Sequence, residues 1–209
     1  PVVREVALAS TVPNIAPLVQ AVEVQRLEDK TGFFKVQYEA GDDNGDTLIY
    51  SIDLRKVGRQ IWINIQEHCE SDSIQWDSRT VEDGRYELRV TADDRRSNSP
   101  ATALTHTRIS DPVVVDNTAP VINLRDMSAA DGAVAMELEV VDKLSVVSSL
   151  AWTVDSNEKW RQTMPEDLVY DTAEEKFRVA IEDIEPCAHF VAFKASDDVS
   201  NVSYASFEI

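Results

Sequence analysis

The chain contains two copies of one sequence pattern, offset by 103 residues. Residues 14–17 match residues 117–120, and residues 74–98 align without a gap to residues 177–201. One offset that recurs in two separate blocks indicates an internal duplication. The chain has 209 residues, so each copy spans about 100 residues, which is the usual size of one β-sandwich module.

Apolar and polar residues alternate along both copies. Phe34, Val36 and Tyr38 occupy every second position of one run, and Leu88 and Val90 do the same in another. This period of two, with β-branched and aromatic residues at the apolar positions, predicts half-buried strands. Clusters of Gly, Asp and Pro between the runs predict turns. About seven short strands per copy predict an all-β fold made of two tandem antiparallel β-sandwiches.

The repeat sets the expected domain organisation. Residues 14–116 are predicted to form the first sandwich and residues 117–209 the second. Residues 1–13 lie outside the repeat and are predicted to form an extended N-terminal segment or the end of a preceding domain. Trp76 and Trp152 stand at inward positions of their strands, so both indoles are predicted to lie in a core.

A motif at residues 81–92 carries a resemblance to a known family. Its apolar residues alternate on either side of Tyr86 after a turn at Gly84, and this pattern resembles the E–F corner and F strand of fibronectin type III modules. The resemblance implies that Tyr86 is the tyrosine of that corner, whose buried hydroxyl group needs a backbone partner. In the second copy His189 stands at the matching position, so the resemblance does not assign that corner.

Further segments are similar to modules of large bacterial exported proteins. Residues 116–120 resemble the junction that opens many immunoglobulin-like modules of such proteins. Residues 41–50, Trp76, residues 83–86 and residues 97–98 together look like the C-terminal portion of bacterial proteins that carry a WD40-like β-propeller ahead of paired fibronectin-III-like modules. The resemblance implies an extracellular or cell-surface location. It also implies spacer or docking modules that contact other domains of the same polypeptide or protein partners.

The chain is strongly acidic. Its formal net charge is −18 at pH 7, so nucleic acids and anionic membrane surfaces would be repelled. No apolar run is long enough to insert directly into a bilayer. Cations, above all Ca²⁺, and basic protein surfaces are the partners that this charge favours. The two cysteines, Cys69 and Cys187, lie in different copies, which predicts two free thiols.

The common catalytic motifs do not occur in the sequence. There is no Gly-x-Ser-x-Gly, no His-Glu-x-x-His, no Cys-x-x-Cys and no Gly-rich phosphate loop. His68, His106 and His189 stand in unrelated segments, and the 38 acidic residues are too many for any one carboxylate pair to be informative. The sequence therefore predicts a protein that is not an enzyme.

One acidic turn predicts a calcium site. Asp42, Asn44 and Asp46 place side-chain oxygen atoms at alternate positions, as a hard cation prefers. A hairpin turn rich in turn-forming residues explains the same segment without a metal, so both explanations stay open.

A second calcium site is predicted where the second copy begins. In this sandwich topology the loops that carry Asp142 and Asp197 gather near the start of their own module. They would therefore approach Asp116 and Asn117, with Asp83 arriving from the first copy. Carboxylates packed together repel one another unless a cation or solvent relieves the repulsion. Solubility alone is the alternative explanation for these acidic residues.

Two tryptophans are candidates for carbohydrate binding. Trp62 and Trp160 follow the central strand of each copy, where an indole ring can stay exposed and stack on a sugar. The predicted function is that of non-catalytic structural or interaction modules of a larger exported or cell-surface protein. The alternative is an accessory carbohydrate-binding module, stabilised by calcium.

Overall fold

The computed structural model describes residues 13–130 and 132–209. Within these residues the chain forms fifteen β-strands and one short 3₁₀ turn, Ser78–Thr80, and no α-helix. The strands of the first repeat are β1 (Leu18–Arg26), β2 (Phe33–Gly41), β3 (Ile49–Lys56), β4 (Ile63–Cys69), β5 (Ser73–Asp77), β6 (Gly84–Asp93), β7 (Thr105–Ile109) and β8 (Val113–Val115). Those of the second are β9 (Val121–Ala130), β10 (Ala133–Val141), β11 (Val147–Val154), β12 (Arg161–Thr163), β13 (Glu174–Ile181), β14 (Phe190–Asp197) and β15 (Val202–Glu208).

Each repeat builds two sheets with the same strand order. The first repeat has a β1–β2–β5 sheet and a β4–β3–β6–β7 sheet, to which β8 is joined through β6. The second repeat has a β9–β10–β13 sheet and a β12–β11–β14–β15 sheet. Neighbouring strands such as β1 and β2, β3 and β6, or β11 and β14 run antiparallel. The predicted all-β fold of antiparallel sandwiches of the fibronectin-III/immunoglobulin class is therefore confirmed.

Strict alternation of burial builds the core of the second repeat. Along β13 every second residue is buried, and β14 follows the same rule. Phe177 and Phe193, one from each sheet, are both almost fully enclosed, so the two sheets share one core. Trp152 belongs to this core as predicted. Its buried members are Val134, Met136, Leu138, Val140, Val147, Leu150, Trp152, Phe177, Val179, Ile181, Val191, Phe193 and Ala195.

Aromatic rings join the two sheets of the first repeat. Tyr38 on β2 meets Tyr50 on β3 with ring centroids 4.8 Å apart. Trp76 on β5 meets Tyr86 on β6 at 6.4 Å, and both of these rings are buried. Trp76 is thus a core residue, as the alternation predicts, and Tyr86 lies inside the sandwich as the corner motif implies.

The chain divides into two compact units whose limits differ from those of the repeats. The predicted boundary between residues 116 and 117 stays a prediction. The extended segment predicted for residues 1–13 lies, apart from Pro13, outside the described residues. Within the described part of the chain, no helix is long and apolar enough to span a membrane. The first unit holds residues 13–26, Phe34–Trp76 and Arg85–Val113, and the second holds Leu27–Phe33, Asp77–Gly84 and Val114–Ile209.

Candidate metal sites

Three buried aspartates meet in the second unit and are called the second cluster below. Asp116 precedes β9, Asp142 follows β10 and Asp197 ends β14. One carboxylate oxygen of each lies within 4.8 Å of those of the other two, and none of the three residues is more than 7% exposed. The sandwich brings the loops after β10 and β14 to the start of the module, which is the convergence that the sequence predicts.

Ser145 connects two of these aspartates. Its backbone N–H donates a hydrogen bond to Asp142 Oδ1 at 2.8 Å, and its hydroxyl group donates to Asp116 Oδ2. The backbone N–H of Thr118 donates to the other carboxylate oxygen of Asp116 at 3.1 Å. These donors fix the orientation of the carboxylates, but they bring no positive charge.

Asn201 holds the third aspartate. Its backbone N–H donates to Asp197 Oδ1 at 2.8 Å, and its side-chain Nδ2 donates to Asp197 Oδ2, also at 2.8 Å. The same Nδ2 lies 3.2 Å from the carbonyl oxygen of Asp116. Among the described residues, none of the Lys, Arg or His ion pairs involves Asp116, Asp142 or Asp197. Within the described part of the chain, the negative charge of this cluster therefore has no ion-pair partner.

Burial raises the pKa of both Asp116 and Asp197. For Asp116 the neighbouring charges of Asp142 and Asp83 add to the effect of burial, while the hydrogen bond from Ser145 opposes it. For Asp197 the charge of Asp116 adds to burial. A cation bound among the three carboxylates would reverse this electrostatic cost, because opposite charge favours the ionised form.

The predicted ligand Asn117 makes its side-chain hydrogen bonds with Ser78. Asn117 Nδ2 donates to the Ser78 carbonyl oxygen at 3.1 Å, and Asn117 Oδ1 accepts from the Ser78 hydroxyl group at 3.2 Å. Asp83 accepts the backbone N–H of Asn117 at 2.8 Å and the hydroxyl group of Thr118. Asp83 thus reaches the segment around Asn117, as predicted, and its carboxylate orders that segment through hydrogen bonds.

A first cluster of three aspartates occurs at the corresponding place of the first repeat. Asp42 follows β2, Asp46 lies in the next turn and Asp94 follows β6, and one oxygen of each lies within 4.8 Å of the others. Asp94 is fully buried, whereas Asp42 and Asp46 are half-buried. Asp94 was not among the predicted ligands, although the offset of 103 residues aligns it with Asp197.

Asn44, the third predicted ligand of the first site, is bonded elsewhere. Its side-chain oxygen accepts the backbone N–H of Ile15 at 2.7 Å. Its own backbone N–H donates to Asp42 Oδ1 at 2.8 Å, and that of Asp46 donates to the same oxygen at 3.2 Å. The predicted hairpin is wrong, because β2 and β3 belong to different sheets and do not pair. The segment is a loop between the two sheets that contains a local turn, with Gly45 N–H donating to the Asp42 carbonyl oxygen at 3.1 Å, and it carries two of the clustered carboxylates.

Two side-chain amides hold the remaining carboxylates of the first cluster. Asn98 Nδ2 donates to Asp46 Oδ2, and Asn14 Nδ2 donates to Asp94 Oδ2, each at 2.6 Å. The Oδ2 atom of Asp42 and the Oδ1 atom of Asn14 are buried and have no hydrogen-bond partner among residues 13–130 and 132–209. Buried oxygen atoms without a donor are costly in a folded protein unless an ion or a water molecule satisfies them.

The two candidate tryptophans have different surroundings. Trp62 is half-buried and its ring is covered by the guanidinium groups of Arg55 and Arg89, 4.3 and 4.5 Å from the ring centroid. Trp160 is also half-buried and packs against the exposed ring of Tyr204 at 6.2 Å. Trp160 borders a cavity of about 370 Å³. Of the two indoles, Trp160 offers the surface that is better suited to stacking.

Comparisons with known proteins assign no family to the chain. No protein family matches the chain, and no curated protein matches it. Among solved structures, the FN1–FN3 domains of chicken CNTN1 are similar, with a TM-score of 0.41 and 13% sequence identity over 94% of this chain and 67% of that chain. At this TM-score the similarity adds nothing to the fold class, which the sheets themselves establish.

Proposed function

We propose that the chain is a pair of non-catalytic structural modules that bind Ca²⁺ at one end of each sandwich. The observation that carries this proposal is the three-aspartate cluster, which occurs at the corresponding place of both repeats. The second cluster is buried and has no basic partner among the described residues. Burying carboxylates without a positively charged partner costs free energy. The burial of the second cluster therefore favours a bound cation.

The spacing of the oxygen atoms suits one calcium ion. Ca²⁺ takes six to eight oxygen ligands at about 2.3–2.6 Å, so ligands on opposite sides of one ion are about 5 Å apart. Carboxylate oxygens within 4.8 Å of one another can therefore share a single ion. Carbonyl oxygens and water molecules would complete the coordination.

The calcium sites would stiffen modules that space or dock the parts of a larger protein. Modules of extracellular proteins bind calcium with dissociation constants of about 10⁻⁴–10⁻³ M, which suits an exported or cell-surface protein in a calcium-rich medium. The resemblance to bacterial modules that follow a WD40-like β-propeller supports this setting. The partners would be other domains of the same polypeptide or separate proteins with basic surfaces.

Calorimetric titration with Ca²⁺ tests the proposal. The metal-free chain should release or absorb heat on titration, and Ca²⁺ should raise its melting temperature, because a ligand that binds only the folded state stabilises it. The variant Asp142→Asn should lose binding at the second cluster, and Asp42→Asn should lose it at the first. Asp126→Asn and Asp43→Asn are matched controls, because both residues are exposed and lie outside the clusters.

Two outcomes would contradict calcium binding at the clusters. Titration without heat, together with a melting temperature that neither Ca²⁺ nor a chelator changes, would show that the clusters are metal-free. Binding that survives in the double variant Asp42→Asn/Asp142→Asn would place the calcium elsewhere on this acidic surface.

A second candidate function, carbohydrate binding, is favoured by the surroundings of Trp160. The cavity beside this indole is lined by hydrogen-bonding side chains, among them Ser149, Gln162 and Lys194. An aromatic platform next to polar groups is the combination that a sugar ring requires. Binding of soluble polysaccharides that is lost in Trp160→Ala and retained in Trp62→Ala would support this function. Equal binding by both variants would exclude this cavity.

A further inference from the structure

A cysteine, a histidine and an aspartate are linked in the second unit. His189 Nε2 lies 3.2 Å from Cys187 Sγ, and His189 Nδ1 lies 2.5 Å from Asp155 Oδ2. In sequence these residues look unrelated. The fold joins them because Asp155 follows β11, His189 precedes β14, and these two strands are paired. Both cysteines of the chain, Cys69 and Cys187, are free thiols, as predicted.

Oxygen acceptors lie beside both ring nitrogens of His189. Asp155 accepts from Nδ1, and the carbonyl oxygen of Glu185, which can only accept, lies 3.0 Å from Nε2. A ring with acceptors on both sides is best satisfied as the imidazolium. In agreement, the carboxylate of Asp155 and the carbonyl group of Glu185 raise the pKa of His189. An imidazolium beside a sulfur atom favours the thiolate, which is the nucleophilic form of cysteine.

The backbone holds this arrangement in place. His189 and Ile209 exchange two backbone hydrogen bonds, each of 2.9 Å. Asp155 Oδ1 accepts the backbone N–H of Phe190 at 2.9 Å, and the backbone N–H of Cys187 donates to Glu185 at 2.8 Å. The aspartate and the histidine are therefore positioned by strand pairing, and the cysteine by a tight turn.

The thiol is accessible and borders a cavity. Cys187 is exposed, and it lines, together with His189, a cavity of about 600 Å³. The apolar wall of this cavity includes Ala129, Ala133 and Ile209. This volume is large enough for a small organic group attached to the sulfur atom.

We propose that Cys187 is a modification site at which a thiolate, activated by His189 and Asp155, reacts with small disulfides. The sulfur of Cys187 attacks one sulfur of R–S–S–R, so a new S–S bond to R–S forms and the original S–S bond breaks. The leaving R–S⁻ keeps the electron pair and takes a proton from solvent. The disulfide is the oxidant, Cys187 is oxidised, and the apolar wall of the cavity receives the organic group R.

The experiment uses the full chain carrying Cys69→Ser, in which Cys187 is the only thiol. The probe is hydroxyethyl disulfide in excess at neutral pH, and intact-mass spectrometry follows mixed-disulfide formation. Adding His189→Gln should slow the reaction roughly ten-fold, because the thiolate fraction controls the rate. Asp155→Asn keeps an oxygen for the N–H of Phe190 but loses the charge, and it should slow the reaction by a smaller factor. His68→Gln is the matched control and should leave the rate unchanged.

A second readout separates activation from a structural effect. The thiolate absorbs in the ultraviolet, so the spectrum at neutral pH should differ between the Cys69→Ser chain and the same chain with Cys187→Ser. This difference should vanish in His189→Gln and shrink in Asp155→Asn, whether or not either variant is less stable. A rate and a thiolate absorbance that are the same with and without the imidazole would overturn the proposal.

Discussion

The two aspartate clusters occupy corresponding places but differ in enclosure. All three carboxylates of the second cluster belong to buried residues, whereas in the first only Asp94 is buried and Asp42 and Asp46 are half-buried. The second cluster also raises the pKa of Asp116 and Asp197 through burial. Fuller burial of the carboxylates in the second cluster thus goes together with a higher desolvation cost for their charged forms.

The third carboxylate comes from a different place in each repeat. Asp116 of the second cluster corresponds to Pro13 at the offset of 103 residues, and Asp46 in a turn supplies the missing carboxylate in the first. The paired asparagines differ as well. Asn14 donates to Asp94 within the first cluster, whereas Asn117 donates to Ser78. The duplicated feature is thus the gathering of three carboxylates rather than a fixed set of positions.

The largest expected difference between the two clusters is the stability that each gains from added Ca²⁺. At a free concentration one hundred times the dissociation constant, Ca²⁺ should stabilise the folded second cluster by about 2.7 kcal/mol. The first cluster should gain less at the same concentration, because half-buried carboxylates are already solvated. Hydrogen exchange measured on β10 and β14 against β2 and β6, with and without a chelator, checks the difference. Equal protection in both repeats would contradict tighter calcium binding at the second cluster, and loss of the effect in Asp142→Asn would support it.

The next largest difference should be the stability lost when Asn201 or Asn98, which align in the repeat, is replaced. Asn201 Nδ2 donates to the carboxylate of Asp197 and to the backbone carbonyl oxygen of Asp116. Asn98 Nδ2 donates to the carboxylate of Asp46 and to the backbone carbonyl oxygen of Asp94. Bonds to charged groups contribute more than neutral ones, so Asn201→Ala should cost about 2 kcal/mol of unfolding free energy at the buried site.

The half-buried first cluster should lose less unfolding free energy when its asparagine is replaced. Asn98→Ala should cost about 1 kcal/mol, since water can replace the lost donor. Urea denaturation of both variants gives the two values. Asn157→Ala is the control, because Asn157 is exposed. A larger loss in Asn98→Ala than in Asn201→Ala would reverse the order derived from burial.

The substitution Asp116→Asn should stabilise the metal-free chain. It removes one of three neighbouring charges, while the amide oxygen can still accept the N–H of Thr118. The gain in unfolding free energy at neutral pH should be about 1 kcal/mol, and Asp126→Asn should show no comparable gain. Measured in chelator by urea denaturation, a loss of stability instead would mean that the carboxylate is needed even without a metal.

The fold and five of the six clustered aspartates could be predicted from the sequence. Alternation with a period of two and the repeat suffice for two sandwiches, and strand position suffices for the buried Trp76 and Trp152. The loops after β10 and β14 converge by topology, so Asp142 and Asp197 were predictable as neighbours. Asp94 was also predictable, because the repeat aligns it with Asp197.

Other features depend on register and rotamers, which a single sequence does not specify. Asn44 and Asn117 have suitable ligand atoms, yet backbone and Ser78 groups engage them. The Cys187–His189–Asp155 link arises because strand pairing places residue 155 beside residue 190. No local motif encodes that proximity, since 34 residues separate the histidine from the aspartate.

Acidification should erase the advantage of Asp116→Asn. Because the pKa of Asp116 is raised above its ordinary value of 3.8, the folded state binds more protons than the unfolded state between these two values. Stability then falls as pH rises through that window, so the cost of this carboxylate is complete above the raised pKa and absent below 3.8. The difference in unfolding free energy between the native chain and Asp116→Asn, measured in chelator across a pH series, should therefore shrink on acidification. The lowered pKa of other acids, such as Asp155 beside His189, cancels in this difference. An advantage that grows as the pH falls would show that Asp116 is stabilised as an anion, and the buried cluster would then need no cation.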